Sequence, residues 1–161
     1  MRKISIFFAF FIAANAYSGE HSEWPSGSAM DVGAGINKEL VSYQNSMNVT
    51  INRIGLLLKS ACTWCTNDGD DYYDLLKNIK ANQAAWATYA NAECELLYKL
   101  EGPAWNTWTS TRAVRCNAGQ AYNRLRQLKR AERCLQRKNK GEEFYSFQNC
   151  LYQLAPLSLQ Q

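Results

Sequence analysis

Residues 70–101 read DDYYDLLKNIKANQAAWATYANAECELLYKLE, and no other segment of the chain carries a clearer structural signal. Side chains suited to a buried face recur here every three or four residues, which is the period of one side of an α-helix. These positions are Tyr72, Leu76, Ile79, Gln83, Trp86, Ala90, Cys94 and Leu97. Acidic residues at the start suit the positive end of the helix dipole, and Gly102-Pro103 forms a stop signal. The pattern therefore predicts one long helix over about 70–101.

Helical spacing also predicts a helix on either side of this segment and a short one near the end of the chain. The expected ranges are about 37–59, about 105–137 and a last short helix that ends before Pro156. The core candidates are Leu40, Tyr43, Met47, Ile51, Ile54, Leu58, Trp105, Trp108, Ala121, Leu125, Leu128, Leu135, Phe144, Phe147, Leu151 and Leu154. No segment alternates apolar and polar residues over a sustained length, so a β-sheet has no support. The sequence predicts an all-α fold, a small helical hairpin bundle of about four helices.

The tryptophans allow two interpretations. Large aromatic residues at helical spacing are more often core residues, and this interpretation is favoured. The alternative is a set of rings that stack on a ligand. The residues concerned are Trp64, Trp86, Trp105 and Trp108.

The N-terminus has the three parts of a secretory signal peptide. Arg2 and Lys3 precede the apolar run 4–14, and Ala14-Asn15-Ala16 forms a small-x-small cleavage site. The run is shorter than the roughly 20 residues that a membrane-spanning helix needs. We therefore expect residues 1–16 to be removed and the mature protein to be exported, either to the periplasm or out of the cell. Residues 17–35, rich in Gly, Ser and Ala, are predicted to form a flexible arm before a single helical domain over 36–156.

The six cysteines all lie in the mature part of the chain, at Cys62, Cys65, Cys94, Cys116, Cys134 and Cys150. An even number of cysteines in an exported chain indicates a disulfide framework, here of three bridges, although spacing alone does not give the connectivity. A redox role for Cys62-Thr-Trp-Cys65 would need a strand–helix setting that the sequence does not predict. A zinc site would compete with disulfide formation for the same thiols. The bundle is therefore expected to be disulfide-stapled.

Charge is distributed unevenly along the chain. Residues 17–111 hold six Lys or Arg against eleven Asp or Glu, whereas residues 112–140 hold ten against one. Helical spacing places six arginines on one side of the third helix, which we call the arginine face: Arg112, Arg115, Arg126, Arg130, Arg133 and Arg137. It is either a binding surface for an anionic lipid, a lipopolysaccharide or an acidic partner, or a solvated face partly neutralised by the second helix. Nucleic acid is not expected as a partner of an exported chain.

The sequence offers no motif for catalysis or for a cofactor. The single histidine, His21, lies in the expected flexible arm, where it is poorly placed for a nucleophile dyad or a metal site. The acidic residues at 68–74 lack the twelve-residue calcium-loop pattern. The chain is therefore predicted to be non-enzymatic and to need no metal or cofactor.

A spaced motif within residues 82–128 carries a family resemblance. Its seven positions are Gln83, Trp86, Tyr89, Cys94, Cys116, Arg124 and Leu128. In residue type and spacing they resemble the N-terminal domain family of the bacterial lysozyme inhibitor LprI. Ala90-Asn91 stands where that family usually carries an Arg-Asp pair, and the other four cysteines do not follow the family pattern.

The resemblance implies an exported bacterial protein that blocks a lysozyme-type, peptidoglycan-cleaving enzyme by covering its sugar-binding cleft. It also implies a disulfide between Cys94 and Cys116. For the remaining cysteines, proximity along the chain alone favours pairing Cys134 with Cys150 and Cys62 with Cys65. The function expected first is thus a non-enzymatic inhibitor or binder of such a hydrolase. The alternative is an envelope or secreted interaction protein that uses the arginine face.

Overall fold

The computed structural model describes residues 27–61, 70–100, 107–141 and 147–154. These ranges form four helices: α1 spans Ala29–Ala61, α2 Asp70–Leu100, α3 Thr107–Asn139 and α4 Phe147–Tyr152. No strand occurs within them, so the predicted all-α bundle is confirmed. The expected signal peptide 1–16 and the pair Cys62–Cys65 lie outside the described residues, as do His21, Trp64 and Trp105.

Helix α3 is the centre of the bundle. It packs most extensively against α1 and less extensively against α2 and α4. Ile54 and Leu58 of α1 and Leu128 and Leu135 of α3 are fully buried. Burial of each such side chain contributes about 1.5–3 kcal/mol, so the α1–α3 contact is the main source of hydrophobic stabilisation.

Most of the core positions predicted from helical spacing are confirmed. Met47, Ile51, Ala121, Leu125 and Leu154 are buried as well, and Leu40, Tyr43, Trp86 and Leu151 are partly buried against the same cluster. On α2, Ile79, Ala90 and Cys94 are buried. Leu97 departs from the pattern because it lies beyond Cys94 and is 49% exposed, so the described residues leave that end of the α2 face uncovered.

The start of α1 corrects the predicted arm. Residues 29–35 are helical, although their Gly and Ala content suggested a flexible segment. The Ser28 hydroxyl accepts a hydrogen bond from the Asp31 amide at 3.2 Å and donates one to the Asp31 carboxylate at 2.7 Å, which caps the helix. Ala29 is buried, and the Thr111 hydroxyl of α3 donates to its carbonyl oxygen at 3.0 Å. The cap and this contact hold the first turn of α1 on α3.

Two disulfides join neighbouring helices. Cys94–Cys116 connects α2 to α3 with a Cα–Cα distance of 5.6 Å, and Cys134–Cys150 connects α3 to α4 at 5.3 Å. Both predicted pairings are confirmed.

None of the helices in the described ranges combines the length and hydrophobicity needed to span a bilayer.

Candidate binding site

The arginine face lies on the side of α3 that the core does not use. Helix α3 carries nine Lys or Arg residues and one acidic residue, Glu132. Arg115 is half-buried, and the other members of the face are exposed: Arg112, Arg126, Arg130, Arg133 and Arg137. Arg126, Arg130, Arg133 and Arg137 thus form one exposed row over the second half of the helix, and Arg112 and Arg115 lie near its start.

Internal neutralisation of this face would require acidic side chains close to it. Glu132 is buried on the opposite side of α3, where it pairs with Arg53 of α1 at 3.7 Å. Within the described ranges, no ion pair reaches Arg126, Arg130 or Arg133. Arg126 instead lies over the ring of Tyr122, 5.7 Å from its centroid.

Two acidic residues of α2 have partners elsewhere. Glu95 pairs with Lys99 one turn later at 2.8 Å, and this hydrogen bond and the adjacent charge lower the pKa of Glu95. The Gln120 amide donates to the Glu93 carboxylate at 2.6 Å. At the ends of α2, Asp74 is exposed, the side chains of Asp70 and Asp71 are not among those described, and Glu101 lies outside the described residues.

Arg124 differs from the other arginines of α3 because it is 4% exposed. Its Nε donates to the Gln83 side-chain oxygen at 3.0 Å, and its Nη2 donates to that of Asn82 at 2.6 Å. Its Nη1 donates to the Gln127 side chain at 3.2 Å and to the Leu154 carbonyl at 2.9 Å. All of these acceptors are neutral, and burial lowers the pKa of Arg124. The guanidinium therefore joins α2, α3 and the end of α4.

Two other residues of the spaced motif, Gln83 and Trp86, lie against this guanidinium. Trp86 is half-buried, with the Arg124 guanidinium carbon 5.8 Å from its ring centroid. Gln83 also donates to the Met47 sulfur of α1 at 3.5 Å, and Leu128 is fully buried. Tyr89 is 64% exposed, so core packing does not account for its place in the motif.

A cavity of about 710 Å³ opens between α2 and α3 beside Arg124. We call it the α2–α3 cavity. Its lining consists of Asn82, Ala85, Trp86, Tyr89, Gln120, Asn123, Arg124, Arg126, Gln127, Arg130 and Leu154. Trp86 also borders a second cavity of about 560 Å³ next to Met47 and Ile51 of α1. The ring of Trp86 therefore packs against the core and keeps some accessible surface, which agrees in part with the core interpretation, while stacking on a ligand stays a prediction.

Sequence reasoning missed two features of this site. One is the separate role of Arg124, although its position three residues after Ala121 and four before Leu128 places it on the apolar side of α3. The other is the set of amide side chains that lines the cavity.

Within the described ranges, no group of His, Cys, Asp and Glu residues is arranged to hold a metal ion.

The arrangement suits binding, because it combines fixed hydrogen-bond donors, exposed cations and an accessible aromatic ring. The motif residues other than Tyr89 have structural roles in this chain, through hydrogen bonds, a disulfide or core packing. No protein-family model, curated protein or solved structure matches the chain.

Proposed function

We propose that this chain is an exported, non-enzymatic binding protein that docks on an anionic surface through the arginine face. The observation that supports this proposal is that Arg126, Arg130 and Arg133 are exposed and, among the described residues, form no ion pair. These three arginines span about 10 Å of the helix, at 1.5 Å per residue. A row of cations on a helix suits an extended layer of anionic headgroups, where each contributes about 1 kcal/mol.

The two disulfides support the exported part of this proposal, because such bridges persist in oxidising compartments. The proposal needs no catalytic group. It requires only that α3 keep its exposed side toward the partner while the opposite side remains packed on α1.

Vesicle flotation tests the docking surface. The wild type is expected to float with phosphatidylglycerol vesicles and to stay behind with phosphatidylcholine vesicles. Attachment should weaken as salt is raised, because the charges are screened within about 10 Å at 0.1 M. The triple variant Arg126→Gln, Arg130→Gln, Arg133→Gln should lose most of this attachment and still fold, because exposed charges contribute little to stability.

The matched control removes three positive charges elsewhere. Lys38, Lys59 and Lys77 are exposed on α1 and α2, so their joint change to Gln alters net charge equally without touching α3. This control should bind like the wild type. Equal loss in both triple variants would show that net charge alone drives attachment, and unchanged attachment of the α3 variant would contradict the proposal.

A second candidate is an inhibitor of a lysozyme-type hydrolase, and the exposed motif residue Tyr89 favours it. Tyr89 projects from α2 beside the α2–α3 cavity, and aromatic side chains are frequent anchors in protein interfaces. Binding to immobilised lysozyme should then fall with Tyr89→Ala. Tyr73→Ala is the matched control, because Tyr73 is 65% exposed on the same helix and lies outside the motif. Absence of lysozyme binding by the wild type would reject this candidate.

A further inference from the structure

The α2–α3 cavity has an unbalanced charge. Three of its lining residues, Arg124, Arg126 and Arg130, are cationic, and none is acidic. Gln120 of the lining donates a hydrogen bond to the carboxylate of Glu93, which is not itself part of the lining. The cavity therefore has a positive potential that its own lining does not cancel.

The guanidinium of Arg124 is a source of this potential that is held in one position. Four hydrogen bonds to neutral oxygen atoms hold the guanidinium in place, but neutral acceptors do not compensate its charge. Nη2 carries two N–H groups, and within the described residues Asn82 is its only acceptor. A buried cation of this kind gains more from an anion than an exposed one, because less water screens the pair.

Four amide side chains also contribute to the lining, those of Asn82, Gln120, Asn123 and Gln127, but most of its accessible surface is apolar. Trp86 offers part of its ring, and Ala85 and Leu154 border the same space. Small-molecule sites typically have volumes of about 300–1,000 Å³ and combine apolar walls with a few placed polar groups, and the α2–α3 cavity matches this description. Its occupant should thus be anionic at one end and apolar over most of its surface.

We propose that the α2–α3 cavity binds a small organic carboxylate, whose apolar body contacts Trp86 and Leu154 and whose carboxylate pairs with the arginines of the cavity. Arg126 and Arg130 are exposed and can each offer a carboxylate two parallel hydrogen bonds, whereas within the described residues Arg124 keeps one N–H on Nη2 for it, so this end of the ligand is recognised by geometry as well as by charge. The inference is separate from docking on an extended surface, because it concerns a partly open cavity between two helices that holds one small molecule. Arg126 and Arg130 belong to both sites, whereas Arg133 belongs only to the arginine face.

Isothermal titration with two probe acids tests the proposal on the full-length mature protein. 1-Naphthoate carries an aromatic body and octanoate an aliphatic one, and each is paired with its neutral amide. At least one acid should bind with one molecule per chain, and its amide should bind on the order of tenfold more weakly, as expected when a charged hydrogen bond is lost. Binding of only one acid supports the proposal and identifies the class of the apolar body.

Two matched pairs of variants locate the binding. Arg130→Gln should weaken binding of the acid on the order of tenfold, whereas Arg133→Gln should leave it within about twofold. Ala85→Phe should block the cavity, whereas Ala81→Phe changes an exposed position of the same helix that is not part of the lining. All four positions are either exposed or on the cavity rim, so folding can be verified for each by its helical circular dichroism and melting temperature.

Three results would overturn the proposal. The first is no binding of either acid at millimolar concentration. The second is equal binding of an acid and its amide, because the carboxylate would then not be recognised. The third is equal weakening by Arg130→Gln and Arg133→Gln together with no effect of Ala85→Phe, which would assign the anion to the open arginine face.

Discussion

Arg124 shows how one side chain can connect several helices. Its guanidinium donates to two residues of α2, to Gln127 of its own helix and to the carbonyl of Leu154 after α4. A lysine would supply the charge but not the planar arrangement of donors. The position therefore requires arginine for geometric reasons, in contrast to the exposed arginines two and six residues later.

Replacement of Arg124 should destabilise the fold clearly. We expect Arg124→Met to lower the free energy of unfolding by about 2–4 kcal/mol, because the acceptors on Gln83, Gln127 and Leu154 lose their donor. Arg126→Met is the control, since Arg126 is exposed two residues further along and its change should stay within about 0.5 kcal/mol. Urea unfolding followed by circular dichroism measures both. Equal stability of the two variants would contradict the structural role of Arg124.

Part of this residue-level organisation could be predicted and part could not. Helical spacing alone groups the six members of the arginine face. Helical spacing does not identify the partners of Arg124, because Asn82 and Gln83 precede it by 42 and 41 residues and lie on another helix. Their proximity depends on how α2 is positioned on α3, which local periodicity does not encode.

Helix boundaries follow local chemistry where that chemistry is unambiguous. The bounds of α2 agree with the prediction to within one residue, because acidic residues mark its start and Gly102-Pro103 follows its end. The start of α1 was missed by eight residues. Gly33 and Gly35 resemble a linker in composition, while the decisive signal is the spacing of Ser28 and Asp31 that forms the cap.

Glycine positions within the helices provide a test at this scale. Gly119 is exposed in the middle of α3, and a Cβ added there would meet nothing within 4 Å. Gly119→Ala should therefore raise the free energy of unfolding by about 0.5–1 kcal/mol, through better helix propensity and a less flexible unfolded chain.

The comparison is Gly33→Ala in α1, where the new Cβ would lie 3.3 Å from the Thr111 hydroxyl oxygen. That hydroxyl is bonded to the Ala29 carbonyl, so it cannot move away freely. The gain at position 33 should be smaller than at position 119 in the same urea titration. An equal or larger gain would mean that the α1–α3 contact is looser than the structure indicates.

At the scale of the whole molecule, the disulfides hold the two outer helices on α3. They close segments of 22 and 16 residues, and each should stabilise the fold by about 3 kcal/mol in the chain-entropy model. We expect Cys94→Ser with Cys116→Ser to lower the melting temperature clearly while α1 and α3 remain packed.

Thermal unfolding of the double variant, with and without reductant, is the measurement. In the double variant Cys134–Cys150 is the one described disulfide that remains. Among the described disulfides, reductant should therefore remove only the stability that this bridge contributes. A melting temperature equal to that of the wild type would contradict the expectation.

The choice of α3 as the central helix could not be predicted from the sequence, because α1, α2 and α3 are all long and all carry an apolar face.

The unequal packing of α1 and α2 on α3 has a consequence for amide hydrogen exchange. Of the side chains described on α2 before Asn82, Ile79 is buried and Leu75 is partly buried, whereas the hydrogen bonds of Asn82 and Gln83 to Arg124 and the disulfide of Cys94 come later along the helix. Proteins open in partial units whose free energies follow such local differences. Amides of α2 before Asn82 should exchange through a low-energy opening that leaves α1 and α3 protected, whereas the central amides of α1 and α3 should exchange only when the whole chain unfolds. In exchange terms the molecule is a stable helix pair with a third helix whose first turns open and close on their own.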